Sequence, residues 1–182
     1  FVASGGPPFV WAVKFSADGT RFVSGSWNKE VRVWSTADWT ECCVPFHRPD
    51  RVFSLALSMT GRYVLVGDRA GGCAFYDLDT EISAINTSSN FPTSPLGIQG
   101  SIRSTKSPTP LFEVTFKDRV FCVALSPDGE MFAIAGVAKE VWLFRTKTRR
   151  MLNCFKVDGP IYWGLSFSAD GKALAAGGED NC

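Results

Sequence analysis

Apolar and polar residues alternate in short bursts along this chain, and one burst returns almost unchanged. Residues 50–58 read DRVFSLALS and residues 118–126 read DRVFCVALS, with seven of nine positions identical. Within such bursts the apolar residues recur at every second position, as at Val13 and Phe15 or Leu55 and Leu57. A period of two predicts β-strands with one face against a core. No sustained 3.6-residue apolar period occurs, so helix is expected to be scarce.

Aligned to itself, the chain yields four copies, at 10–34, 52–77, 120–144 and 162–182, the last cut short. Each begins with an alternating strand and then turns at SADG, SMTG, SPDG or SADG. Asp-Gly and Thr-Gly offer the left-handed backbone that a tight hairpin turn needs. A second short strand ends at Gly25, Gly67, Gly136 or Gly177, and an apolar third strand ends at Trp34, Tyr76 or Phe144. A fourth strand fits the linkers, at Thr40–Phe46, Leu111–Phe116 and Met151–Phe155. The turn glycines Gly19, Gly61, Gly129 and Gly171 are spaced by 42, 68 and 42 residues. Four antiparallel strands at that period predict an all-β propeller built from four-stranded blades. Blade 1 is placed at about 10–46, blade 2 at about 52–116, blade 3 at about 120–155 and a partial blade 4 at 162–182.

V-x-x-V-x-F-S-x-D-G in the first strand and turn, with S-G-S…V-x-V-W at 24–34, resembles the WD-repeat family of β-propellers. The resemblance covers nearly the whole chain apart from one insert. It implies a scaffold that presents loops around a ring and binds proteins or peptides. The family's Gly-His dipeptide is absent, and His47 follows Phe46. The family's structural Asp aligns with Asp180 in the last copy but with Asn28, Ala70 and Ala138 in the others. The expectation is therefore that the family's polar network is mostly missing and that apolar packing between sheets holds the blades. Three and a half blades make an incomplete ring. The chain is expected to be part of a longer protein, with completion by a second copy as the competing idea.

The 68-residue spacing holds an insert at about 79–110, rich in Ser, Thr, Pro and Gly, expected to be a long surface loop. It precedes the fourth strand of blade 2, on the face that, by the resemblance, lies opposite the usual peptide-binding mouth. Ser94-Pro95, Ser107-Pro108 and Thr109-Pro110 are candidates for proline-directed phosphorylation, against a plain linker. Asn86-Thr87-Ser88 matches a glycosylation sequon, discounted because the cysteines point to a reducing compartment.

Composition narrows the chemistry. Of 182 residues, 45% are apolar and 20% charged, a globular balance. The net charge of +1 argues against a nucleic-acid or anionic-membrane partner. No apolar run is long enough to predict a membrane span, and no signal-peptide pattern opens the chain at Phe1. Cys42, Cys43, Cys73, Cys122, Cys154 and Cys182 form no C-x-x-C pair, and the chain has one histidine, so no metal site is expected. Reduced thiols place the protein inside the cell, in cytoplasm or nucleus. Ser-His-Asp or Cys-His catalysis would have to use His47, and no nucleotide-binding glycine motif occurs. Asp18, Asp128 and Asp170 have a sufficient reason in their turns. No catalytic residue and no cofactor is expected.

Candidate contacts lie elsewhere. The second residue of the first strand is aromatic in all four copies: Trp11, Phe53, Phe121 and Trp163. The next is small: Ala12, Ser54, Cys122 and Gly164. In the resembling family this edge lies near a mouth that binds peptides, so the aromatics are candidate partner contacts; packing between blades is the alternative. Trp27, in the loop after the second strand, is a further candidate, its equivalents being Arg69, Val137 and Glu179. Arg145, Lys147, Arg149 and Arg150 form a basic turn, either an acidic contact or a solvated hairpin. The expected function is a non-catalytic protein-interaction scaffold in a multi-subunit complex. The alternative is a regulatory or catalytic propeller domain of an enzyme whose active site lies outside this segment.

Overall fold

The computed structural model describes residues 9–79, 107–136, 139–156 and 162–178, with backbone alone at 162 and 163. Fourteen strands lie among the described residues. β1 (Val10–Phe15), β2 (Arg21–Ser26), β3 (Glu30–Ser35) and β4 (Phe46–His47) form the first sheet. β5 (Val52–Leu57), β6 (Tyr63–Asp68), β7 (Gly72–Asp77) and β8 (Pro110–Thr115) form the second. β9 (Val120–Leu125), β10 (Met131–Gly136), β11 (Glu140–Arg145) and β12 (Arg150–Lys156) form the third. β13 (Tyr162–Phe167) and β14 (Leu174–Gly178) pair alone. Every pairing is antiparallel and joins neighbours in sequence. The first strands β1, β5, β9 and β13 lie side by side in that order. The sheets therefore stack around their first strands without closing a ring, the incomplete propeller expected.

The turn after each first strand explains the S-x-D-G repeat. Gly19, Gly61, Gly129 and Gly171 adopt φ of 69°, 69°, 71° and 70°, a region costly for any residue with a Cβ. The serine Oγ accepts the N–H five residues on, at 3.0 Å in Ser16–Arg21 and 2.8 Å in Ser126–Met131. It also donates to the turn aspartate, Ser16 to Asp18 at 2.6 Å and Ser168 to Asp170 at 2.6 Å. These hydroxyls, with a backbone N–H, hold the carboxyls of Asp18, Asp128 and Asp170 below the usual carboxylate range.

Packing follows the stack. Val23, Val31, Val33 and Phe46 of the first sheet meet Val52, Leu55, Val64, Val66 and Tyr76 of the second. The other face of the second sheet, Leu65, Phe75 and Phe112, meets Phe132, Ile134 and Phe144 of the third. Both faces of the second sheet are thus covered, and every residue of β7 is buried. A strand buried on both sides loses the clean alternation of a half-exposed one.

Two expectations are corrected. The fourth strand of the first sheet does not run over Thr40–Phe46. Its regular pairing is confined to Phe46–His47, with isolated bridges at Glu41, to Trp34, and at Cys43. Pro45 has no N–H to give the ladder, and Trp39 sits at φ 57°. The expectation that apolar packing alone holds the blades also needs amending, because in the second sheet a different buried polar set stands where the family-like residues are absent. Arg48, 4% exposed, donates from Nε and Nη2 to Oδ2 of the fully buried Asp68, at 3.2 and 3.0 Å. Its Nη1 reaches the Tyr76 hydroxyl at 3.1 Å and Glu113 at 2.7 Å. Asp68 Oδ1 accepts the N–H groups of Ala70 and Gly72 at 3.0 and 2.9 Å, so Asp68, not position 70, ties the turn before β7. In the first sheet Trp34 Nε1 donates to Ser24 Oγ at 3.1 Å.

Candidate functional site

The recurring aromatic is a β-bulge. In the first sheet Val10 pairs Ser26 and Ala12 pairs Gly25, leaving Trp11 without a partner on β2. Val52 and Ser54 bracket Phe53 in the same way. Val120 and Cys122 bracket Phe121, and Tyr162 and Gly164 bracket position 163. A bulge re-aims the side chain of its extra residue. Here it turns Trp11, Phe53 and Phe121 along the end of the stack at which the first strands begin.

The rings then meet across sheets. Trp11 and Phe53 lie with centroids 6.0 Å apart, and Phe53 and Phe121 stack at 5.4 Å with planes 6° apart. Trp27 stacks on Trp11 at 5.4 Å, and Phe9 meets Trp27 edge-on at 5.5 Å. The result is a continuous ladder of five rings: Phe9, Trp27, Trp11, Phe53 and Phe121. Trp11 is 57% exposed and Phe9 58%, while Phe53, Phe121 and Trp27 are half-buried. The Arg51 guanidinium carbon lies 4.6 Å from the Trp27 ring centroid, a cation–π contact. Among the described residues Trp27 Nε1 is buried without an acceptor.

Below the ladder, a cavity of about 300 Å³ runs along the first strands, lined by Trp11, Lys14, Phe53, Ser54, Phe121 and Cys122. Ser54 Oγ is buried there without a partner. Burial pushes the Cys122 thiol up to about 11, with Lys14 opposing. Beside Phe121 lies a wider cleft of about 570 Å³.

The sequence candidates therefore separate. Trp11, Phe53, Phe121 and Trp27 come together; the side chain of Trp163 lies outside the described residues. Arg145, Lys147, Arg149 and Arg150 are all exposed at the opposite end. Arg145 pairs with Met131 at the start of β10, the end far from Phe121. Phe9 and Arg51 were not foreseen as members of the site; the Asp-Arg pair repeated before both VF strands was the available signal for Arg51. His47 is an exposed strand residue, its Nε2 3.9 Å from Glu30. Of the cysteines, Cys42, Cys43, Cys73, Cys122 and Cys154 form no disulfide among the described residues; Cys182 lies outside the described residues, as do Asp180, Ala138, and 80–106 of the insert with Ser94 and Asn86.

Stacked four-stranded antiparallel blades define a β-propeller architecture, incomplete in this chain. Residues 2–35 match the family model described as WD domain, G-beta repeat. Over 69 residues the chain is 32% identical to Periodic tryptophan protein 2 homolog of Schizosaccharomyces pombe, covering 38% of this chain and 8% of that protein. It superposes on a chain of the Crystal Structure of Mitotic Checkpoint Complex with TM-score 0.72 and 16% identity, covering 94% of this chain and 44% of that one. The chain thus spans less than half the length of either. Among the described residues no helix is long and apolar enough to cross a membrane.

Proposed function

We propose that the protein is a non-catalytic interaction scaffold whose aromatic mouth seats a segment of a protein partner. The observation that carries this reading is the ladder of five rings, assembled from residues of three separate blades. Trp11 and Phe9 leave large apolar area in water, and exposed aromatic surface of that kind is enriched at interface anchors. Burying those rings against a partner gains more than leaving them hydrated. The first strands provide a rigid frame, so little ordering is needed at docking. A role inside a multi-subunit complex, and a reducing compartment suited to five cysteines without a disulfide among the described residues, belong to the same reading. The exposed basic turn at Arg145–Arg150 is read as a solvated hairpin outside this site.

The test is affinity capture from native extract with wild type and with Trp11→Ala. Trp11 is largely exposed, so the variant is expected to keep its circular-dichroism spectrum and midpoint while losing its specific partners. Capture unchanged by Trp11→Ala and Phe53→Ala, with folding intact, removes the mouth from the binding surface.

A further inference from the structure

The ladder ends in charge. The cleft beside Phe121 is lined by Asp50, Arg69, Lys117, Asp118 and Arg119, with Phe121 shared between cleft and ladder. Lys117 and Arg119 are exposed, and neither has a carboxylate within ion-pair distance among the described residues. Arg69 is held only loosely, its Nε 3.9 Å from Asp50 Oδ2. Asp50 Oδ1 is already engaged by the Arg51 N–H at 2.8 Å. At the far end of the ladder Arg51 lies over Trp27, whose buried Nε1–H has no acceptor among the described residues. Free donors therefore flank an apolar track at both ends.

Resting on the reading of the mouth as a docking site, we infer that its occupant is an acidic peptide segment carrying an aromatic or large aliphatic anchor. The anchor stacks on Trp11 and Phe53, and carboxylates beside it meet Lys117 and Arg119. Arginine binds a carboxylate through two parallel N–H donors, which fixes the direction of the peptide as well as its charge. A single-stranded nucleic acid also seeks aromatic faces and cations. It fits less well, because Asp50 and Asp118 stand among the cations and repel successive phosphates, and the net charge of the whole chain is only +1. A peptide places a few carboxylates where the cations are and spares the rest.

Fluorescence anisotropy with defined probes decides it. The probes are short labelled peptides with a central Phe, flanked by Glu, by Lys or by Ser, and oligothymidylate as the nucleic-acid control. The Glu-flanked peptide is expected to bind up to about tenfold tighter than the Ser-flanked one, an advantage that shrinks as salt is raised. The double charge reversal Lys117→Glu with Arg119→Glu is expected to transfer the preference to the Lys-flanked peptide. Both positions are exposed, so folding is not at stake. Equal affinity for Glu- and Lys-flanked peptides, no response to charge reversal, or preference for oligothymidylate overturns the inference. If the Glu-, Lys- and Ser-flanked peptides bind equally and Trp11→Ala abolishes that binding, the mouth stands while the charge preference falls. If no peptide binds, both fall.

Discussion

Arg48 shows how much one residue can carry in this fold. Its guanidinium lies between sheets with Asp68, Tyr76 and Glu113, and burial alone would disfavour its charge. The surrounding acceptors win, holding its pKa above the ordinary arginine value, while burial, against the opposing Arg48 charge, raises the Tyr76 hydroxyl. Removing one partner of such a pair leaves a buried charge unmatched. Arg48→Ala is expected to destabilise by about 3–5 kcal/mol in urea unfolding, with the double variant Arg48→Ala/Asp68→Ala losing less than the sum of the two singles. The network was hard to read in the chain. The acid is two residues earlier than the family-like position, and an arginine stands beside the one histidine, so motif spacing pointed to Ala70 and His47. Only the placement of the Arg48 side chain beside Asp68, 20 residues on, reveals the substitution of one donor for another.

At the scale of strands, the bulge couples two sequence features that looked independent: an aromatic at the second position of each first strand, and a glycine near the end of each second strand. Gly25, Gly67 and Gly177 pair with the residue after the bulge, while in the third sheet Ala135 holds that place and Gly136 pairs with Val120; at Gly25 and Gly67 the next blade presses onto the glycine. A Cβ at Gly67 would lie 2.5 Å from Val120 Cγ1 and 2.6 Å from Ser54 Oγ. At Gly177, beside the last described strand, a Cβ would meet nothing within 4 Å. Gly67→Ala is accordingly expected to cost about 1–3 kcal/mol, and Gly177→Ala close to nothing, in paired thermal and urea denaturation. Equal losses would mean that strand geometry, rather than inter-sheet approach, sets the requirement. The recurrence of aromatic and glycine was legible in the chain. Their opposition was not, because a two-residue period carries no mark of the extra residue that shifts the register.

Across the whole molecule, aromatic residues divide into two populations with different work. Phe75 and Phe132 stack at 5.7 Å between the second and third sheets and are essentially fully buried. Phe75→Ala is expected to destabilise by about 3–5 kcal/mol, whereas Trp11→Ala should change the unfolding midpoint little. A comparable loss at both would place Trp11 in the core and weaken the proposed mouth. Composition could not separate these populations, since both sit in strands of the same alternating type. The chain by itself determined the four copies, their S-x-D-G or S-x-T-G turns, the all-β class and the identity of the recurring aromatics, because turns and strand alternation depend on residues a few positions apart. Only the tertiary structure decided that Trp11, Phe53 and Phe121 form one surface with Trp27 and Phe9, and that Arg48 is the buried cation. Those neighbours are tens of residues apart in sequence and are brought together by the stacking of separate blades, which is driven by apolar area that no single repeat can bury alone.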